Sequence, residues 1–314
     1  MDLSAAPFYD DVAEGPDNGA AYWITTADGV RIRVGVWPLH GAKGTVLLFP
    51  GRTEYIEKYG RGAADLAARG YATVSIDWRG QGLADRLIQD PASGFVDKFT
   101  DYQIDIAAML GVADALNMPG PRMLLAHSMG GCIGLRALMD GLPVNAAVFS
   151  APMWGITMSN AMRPAAWAMS WASRKVGLGG TLAPGTTPQT YVLAEGFEGN
   201  NLTTDPDMYR YMQDQVRSYP DLSLGGPSLH WLHEALSETL VLSKRPAPDI
   251  PCLTYLGSFE QIVETGRIHS RMEKWPKGRL EMIEGAEHEV LMEMPDIREV
   301  IYDNTVRHFD AHLG

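Results

Sequence analysis

Apolar residues along this chain fall into two alternating rhythms. Three short, nearly unbroken apolar bursts, Thr45–Phe49, Tyr71–Ile76 and Met123–Ala126, read as strands buried on both faces. Further strands are expected at Ala146–Ser150, Cys252–Leu256 and Leu280–Ile283. Residues 21–37 read as a hairpin: Tyr22-Trp23-Ile24, a turn at Asp28-Gly29, then apolar–polar alternation from Val30 to Val34. Between the bursts the period becomes helical. Tyr102, Ile106, Met109, Leu110 and Ala113 share one face across 99–117, and Ile297, Val300, Ile301, Phe309 and Leu313 form a stripe after Pro295. Such alternation predicts an α/β protein with a doubly wound, mostly parallel sheet and an N-terminal antiparallel hairpin.

The rhythm breaks once. From Pro152 to Ala247 there is no strand-like burst, only helical stretches and Gly/Pro/Thr-rich loops around 177–188. This predicts a helical cap set into the core, dividing the chain into 1–151 (core), 152–247 (cap) and 248–314 (core). The cap holds Trp154, Trp167, Trp171 and Trp231. Met158, Met162, Trp167 and Trp171 recur four or five positions apart, which predicts one apolar helix face interrupted by Pro164. That face either packs the cap onto the core or lines an acyl pocket. The candidates for substrate contact are Trp154, Met158, Met162 and Trp167.

Composition narrows the function classes. The chain has 314 residues, ample for a large core. Its net charge of −12 argues against nucleic-acid binding and against electrostatic attraction to anionic lipid. A transient, hydrophobic contact with a membrane surface, peripheral at its inner face, stays open. Cys132 and Cys252 sit far apart in apolar segments and are expected as buried free thiols. The first residues read as neither a signal peptide nor a spanning helix, so a cytoplasmic protein is expected. No His/Asp/Cys cluster has ligand spacing and no nucleotide loop is present, so neither a metal nor a cofactor is expected.

Against this background one serine stands out. In Leu124-Leu-Ala-His-Ser-Met-Gly-Gly131, Ser128 sits where a strand ends and a helix begins, with Ala126 and Gly130 two positions either side. A sharp turn of that kind tolerates only small neighbours, and it presents the serine beside helix-start N–H groups. A nucleophilic serine needs a base and an orienting acid. Of eight histidines, His288 alone follows a core strand in a loop, Glu-Gly-Ala-Glu-His-Glu, on the rim that carries Ser128. The acid is expected beyond the preceding strand. Glu260 is the candidate and Glu264 its rival. An oxyanion would be held by the Met129 N–H and by the Arg52 N–H in the loop Pro50-Gly51-Arg52-Thr53-Glu54.

These residues together resemble the serine α/β-hydrolases, and more narrowly the bacterial lysophospholipase and monoacylglycerol lipase group. Pro50–Tyr59 resembles that group's oxyanion-loop segment, with Pro50 where monoacylglycerol lipases carry His. Asp77-Trp-Arg-Gly-Gln-Gly82 is similar to its Asp-x-Arg-Gly-x-Gly loop. Phe95–Asp105, Leu125–Gly131 and Ser150–Met153 look closest to bacterial lysophospholipases, the Ala126 variant included. The resemblance implies an α/β-hydrolase fold, Ser128 as nucleophile, His288 as base and Glu260 as acid, although Asp is the more usual acid. It implies a small-molecule or lipid ester as substrate: a lysophospholipid or a monoacylglycerol. A short-chain carboxylesterase, an aminopeptidase using Glu54 and Glu57 to hold an amine, and a silent binding module are the alternatives. Asp77 and Arg79 read as structural. Arg52, Lys58 and Arg163 are the candidates for meeting a headgroup phosphate.

Overall fold

In the computed structural model, which describes residues 3–159 and 161–314, nine strands form one sheet. In chain order they are β1 (Ser4–Ala6), β2 (Ala20–Thr25), β3 (Arg31–Trp37), β4 (Gly44–Phe49), β5 (Tyr71–Asp77), β6 (Arg122–His127), β7 (Ala147–Ser150), β8 (Cys252–Gly257) and β9 (Gly278–Ile283). Their spatial order is β1-β2-β3-β5-β4-β6-β7-β8-β9. The first pairings, β1 with β2, β2 with β3 and β3 with β5, are antiparallel, and every pairing from β4 to β9 is parallel.

Ten α-helices surround it: α1 (Asp10–Ala13), α2 (Gly60–Ala68), α3 (Tyr102–Ala115), α4 (Ser128–Met139), α5 (Met162–Lys175), α6 (Tyr191–Ala194), α7 (Pro206–Ser218), α8 (Leu229–Ser243), α9 (Thr265–Met272) and α10 (Pro295–Asp310), counted among the described residues. Leu47, Phe49, Leu124 and Phe149 pack with α3 and α4 on one face of the sheet. Val46, Leu48, Leu125 and Val148 pack with α2 and α10 on the other. Alternate residues of each central strand thus enter opposite cores, which is why those strands carry no polar face.

The predicted strands and the hairpin are present. β1 was not expected; its three small residues carry no readable alternation. Two details of the patterning are corrected. Val300 is exposed on α10 while Ile301 is buried, so the stripe is narrower than the spacing implied, and Leu313 lies beyond the helix end. At the sheet edge, Met282 of β9 is exposed, on a face of the last strand that is not covered among the described residues. Cys132 and Cys252 are free and buried.

Between β7 and β8 the chain forms α5 to α8 and, among the described residues, adds no strand to the sheet. Pro164 does not interrupt a helix. It sits in the first turn of α5, where its missing N–H costs nothing, and Met158 precedes that helix. Met162 and Trp171 are more than half exposed, so the expected apolar face is not simply packed inward. No helix among the described residues is long and apolar enough to cross a membrane.

Candidate active site

Four parallel strands deliver the candidate residues to one edge. β4 ends in the Pro50–Glu54 loop, β6 runs into Ser128, β8 ends two residues before Phe259-Glu260, and β9 ends shortly before His288. All are carboxyl ends of a parallel sheet, where open α/β folds gather their reactive groups.

Ser128 adopts φ +49°, in the left-handed region that a residue with a side chain rarely enters. The turn is held open to this conformation by what lies opposite. A Cβ on Gly130 would come within 2.1 Å of the Phe49 carbonyl oxygen, so no larger residue fits there. Ser128 also accepts from the Met153 N–H at its own carbonyl, 2.8 Å away. Met129 is the second residue of α4, so its N–H belongs to the helix-start donors that lack an intrahelical partner.

His288 bridges the other two residues. Its Nε2 is 2.9 Å from Ser128 Oγ and its Nδ1 is 2.6 Å from Glu260 Oε2. The second Glu260 oxygen accepts from the Ile262 and Val263 N–H groups, at 2.6 and 3.0 Å. Burial alone would raise the Glu260 carboxyl. The His288 ring and the two backbone donors outweigh it and hold the group below the usual glutamate range. Its rival is engaged elsewhere: Glu264 Oε2 takes Arg163 at 2.9 Å and Arg267 at 3.0 Å.

The Pro50–Glu54 loop is braced from beneath. Trp78 Nε1 donates to the Pro50 carbonyl (2.9 Å), Gln81 Nε2 to those of Gly51 (2.8 Å) and Glu54 (3.0 Å), and the Gly51 N–H donates to the Glu54 carboxylate. The positive φ falls at Thr53 (+66°), not at Gly51. The Arg52 N–H donates to none of the described residues. Asp77 and Arg79 are structural, as read. Asp77 accepts from Arg33, from the Ile56 N–H and from the Leu83 N–H, and Arg79 bonds Asp105 and Asp28.

Beneath the serine lies a buried ionic cluster that the sequence did not announce. Lys58 Nζ is 2.6 Å from both Glu54 Oε1 and Glu289 Oε1. Tyr59 donates its hydroxyl to Glu54. His127 Nε2 lies 3.2 Å from Glu289 Oε2 and 3.5 Å from Glu54 Oε1, close enough for charge attraction but not aligned as a hydrogen bond. Burial disfavours charge throughout. For Lys58 and His127 the Glu289 and Glu54 carboxylates outweigh it and raise both pKa values; for Glu289 the His127 and Lys58 cations outweigh it and hold the carboxyl well below its usual range. Glu54, His127 and Glu289 bring three ligand-type atoms within 4.8 Å of one another, but the Lys58 ammonium already supplies the positive charge between the two carboxylates. His127 precedes the serine and Glu289 follows the histidine, so the cluster ties the end of β6 to the segments after β4 and β9.

These groups open on a cavity of about 610 Å³. Arg52, Ser128, His288 and Glu289 line its floor, and Met158, Met162, Ala165, Ala166 and Met169 line the opposite side. Two of the expected contacts are elsewhere. Trp154 is buried outside the cavity wall, donating to the Gly131 carbonyl and stacked on Trp275. Trp167 lies edge-on to His233, also outside the wall. Tryptophan's size suits either role, and spacing alone does not separate them.

Comparison with known proteins agrees with this architecture. The family model Hydrolase_4, described as serine aminopeptidase, S33, matches residues 40–295. The lysophospholipase L2 of Escherichia coli (strain K12) is 32% identical over 302 residues, covering 92% of this chain and 87% of that one. The probable lysophospholipase L2 of Haemophilus influenzae is 30% identical over 282 residues, covering 87% and 86%. Among solved structures, a soluble variant of monoglyceride lipase from Saccharomyces cerevisiae in complex with a substrate analog superposes with a TM-score of 0.72 at 19% identity, over 100% of this chain and 96% of that one. A carboxyl esterase from Bacillus coagulans in complex with glycerol gives 0.71 at 14% identity, over 94% and 99%. With its nine-stranded sheet, its serine at the β6–α4 turn and this extent of matching sequence, the chain belongs to the Hydrolase_4 (serine aminopeptidase, S33) family and has the α/β-hydrolase fold.

Proposed function

We propose that the protein is a carboxylic ester hydrolase that cleaves monoacyl lipids, lysophospholipids or monoacylglycerols, with Ser128, His288 and Glu260 as its reacting groups. The observation that carries this reading is the His288 ring, in hydrogen-bond reach of both Ser128 and Glu260 and facing an apolar cavity. His288 Nε2 takes the Ser128 hydroxyl proton as Oγ attacks the ester carbonyl. Glu260 fixes the tautomer with the proton on Nδ1 and stabilises the imidazolium that forms. The Met129 and Arg52 N–H groups receive the oxyanion. The imidazolium protonates the leaving alcohol. Water, deprotonated by the same histidine, then releases the fatty acid and restores Ser128.

Residues 152–247 act as the cap of this site. Their methionines and alanines offer an adaptable apolar wall for an acyl chain. Met162 and Met169 both line the cavity and remain exposed, and the rim they form touches the lipid surface from which substrate is drawn.

The alternatives fit less well. An aminopeptidase needs free acids to hold the substrate amine. Glu54 is taken by Lys58 and Tyr59, and Glu57 is held bidentately by Arg33 at 2.7 Å outside the cavity wall. A silent binding module has no use for a serine and a histidine aligned in this way. The test is fatty-acid release from a lysophospholipid and a monoacylglycerol of equal chain length, with Ser128→Ala as the blank. Release from either, abolished in the variant, is expected. Release from neither, with short esters still cleaved, would remove the lipid assignment.

A further inference from the structure

Three cations were candidates for meeting a phosphate, and the fold separates them. Lys58 is held between Glu54 and Glu289. Arg163 donates to Glu264. Arg52 has no carboxylate partner among the described residues. One guanidinium nitrogen donates to the Gly225 carbonyl at 2.8 Å, and the group lies 5.7 Å from the Trp231 ring centroid. Its other N–H groups meet no acceptor among the described residues. Arg52 is only partly exposed, and it lines the same cavity as Ser128. Lys58, Glu54 and Glu289, the other charged side chains of that wall, have ionic partners, and His288, Tyr55 and Tyr191 are hydrogen-bonded.

We propose that the Arg52 guanidinium is the subsite for the headgroup phosphate of a lysophospholipid, an inference that deepens the ester-hydrolase reading and rests on it. A cation kept from water without a counter-charge is costly, and an arriving anion removes that cost. Burial, only partly offset by Tyr102, pulls the Arg52 pKa down to about 10, consistent with a group that has no carboxylate beside it. The planar fork of guanidinium suits the paired oxygens of a phosphate. The placement fits as well. In a lysophospholipid the phosphate lies one glycerol away from the ester carbonyl. Arg52 lines the same wall as Ser128, and its guanidinium sits against Gly225 and Trp231 at that wall, on the side toward which a headgroup leaves the ester carbonyl. A monoacylglycerol offers only hydroxyls at that point, so the side chain favours the phosphate-bearing lipid.

The experiment measures binding in the full chain carrying Ser128→Ala, which separates recognition from turnover. Below their critical micelle concentrations, 1-decanoyl-lysophosphatidylcholine, 1-decanoylglycerol and inorganic phosphate are titrated by calorimetry. The lysolipid is expected to bind at least ~10-fold tighter than the glyceride, in line with the worth of a charged hydrogen bond. Adding Arg52→Gln should erase most of that ratio, and Arg52→Lys should restore part of it. The ratio is the readout because a general disturbance of the loop or of the Gly225 contact weakens both lipids alike. An unchanged ratio in Arg52→Gln, or equal affinity for the two lipids from the outset, overturns the proposal. So does inorganic phosphate binding as tightly as the lysolipid, which would make this a site for a free anion. Failure of turnover in the unmutated enzyme, with this ratio intact, would instead count against the hydrolase reading alone.

Discussion

The two sides of the cavity are built on opposite terms. On the sheet side, the titratable groups bordering Ser128 are buried and nearly all paired: His288 with Glu260 and Ser128, Lys58 with Glu54 and Glu289, His127 beside Glu289. On the facing side, α5 supplies methionine and alanine, and Met162 and Met169 remain exposed to solvent as well. The first side holds its groups through directional hydrogen bonds and ion pairs, as bond making requires. The second has no directional contacts to satisfy and can follow acyl chains of different shape. Substitutions on the sheet side should therefore cost rate or stability steeply, and those on α5 should shift chain-length preference mildly.

The largest effect is expected at the serine. Ser128→Ala should lower kcat by ~10⁵-fold or more, because nothing else near His288 offers a nucleophile on a fixed scaffold. Steady-state fatty-acid release checks it. Next comes the acid. Glu260→Gln should cost ~10³–10⁴-fold in kcat by favouring the wrong histidine tautomer. Glu264→Gln, whose carboxylate only joins Arg163 and Arg267, should cost less than ~10-fold. Equal losses at the two positions would overturn the choice of Glu260.

The ionic cluster governs stability. Glu289→Gln leaves Lys58 and His127 short of a buried partner and should destabilise the fold by ~3–5 kcal/mol, read by denaturant unfolding. The same groups set a pH window. Glu260 and Glu289 have lowered folded-state pKa values, so their contribution is full above the ordinary glutamate range and is lost as pH falls through the lowered values. His127 has a raised value, so its contribution is full below the ordinary histidine pKa of ~6.5 and is lost as pH rises through the folded value. Stability should therefore fall off on both sides of a plateau. In Glu289→Gln the alkaline fall should shrink, which a melting-temperature series across pH would reveal. The smallest effect belongs to α5. Met162→Ser with Met169→Ser should change stability by within ~1 kcal/mol and lower kcat/KM more for long-chain than for short-chain esters.

The difference between the two sides also explains what could be read in advance. The parallel strands are legible because burial on both faces writes continuous apolar runs at Thr45–Phe49 and Met123–Ala126. The meeting of Ser128, Glu260 and His288 is legible because each follows a predicted strand at the same edge of the sheet, although β9 before His288 is only partly buried. The ionic cluster is not, since Glu54 and Lys58 follow β4, His127 ends β6 and Glu289 follows β9, and they meet only after the strands align. Nor are the roles of the tryptophans. Trp154 and Trp167 satisfy the same apolar spacing as Met158 and Met162, yet only the methionines reach the cavity. Trp154 and Met158 precede α5, and a step of five from Met162 carries Trp167 away from the face shared by Met162, Ala165, Ala166 and Met169, so the spacing does not mark one helix face.

The most direct test of the account is to trap the acyl-enzyme. Enzyme mixed with 1-oleoyl-lysophosphatidylcholine and quenched in acid within the first turnovers should carry one oleoyl group, mapped by peptide mass spectrometry to Ser128 and absent from Ser128→Ala. Steady release of oleate with no adduct at Ser128, or with the adduct on another residue, would contradict the account.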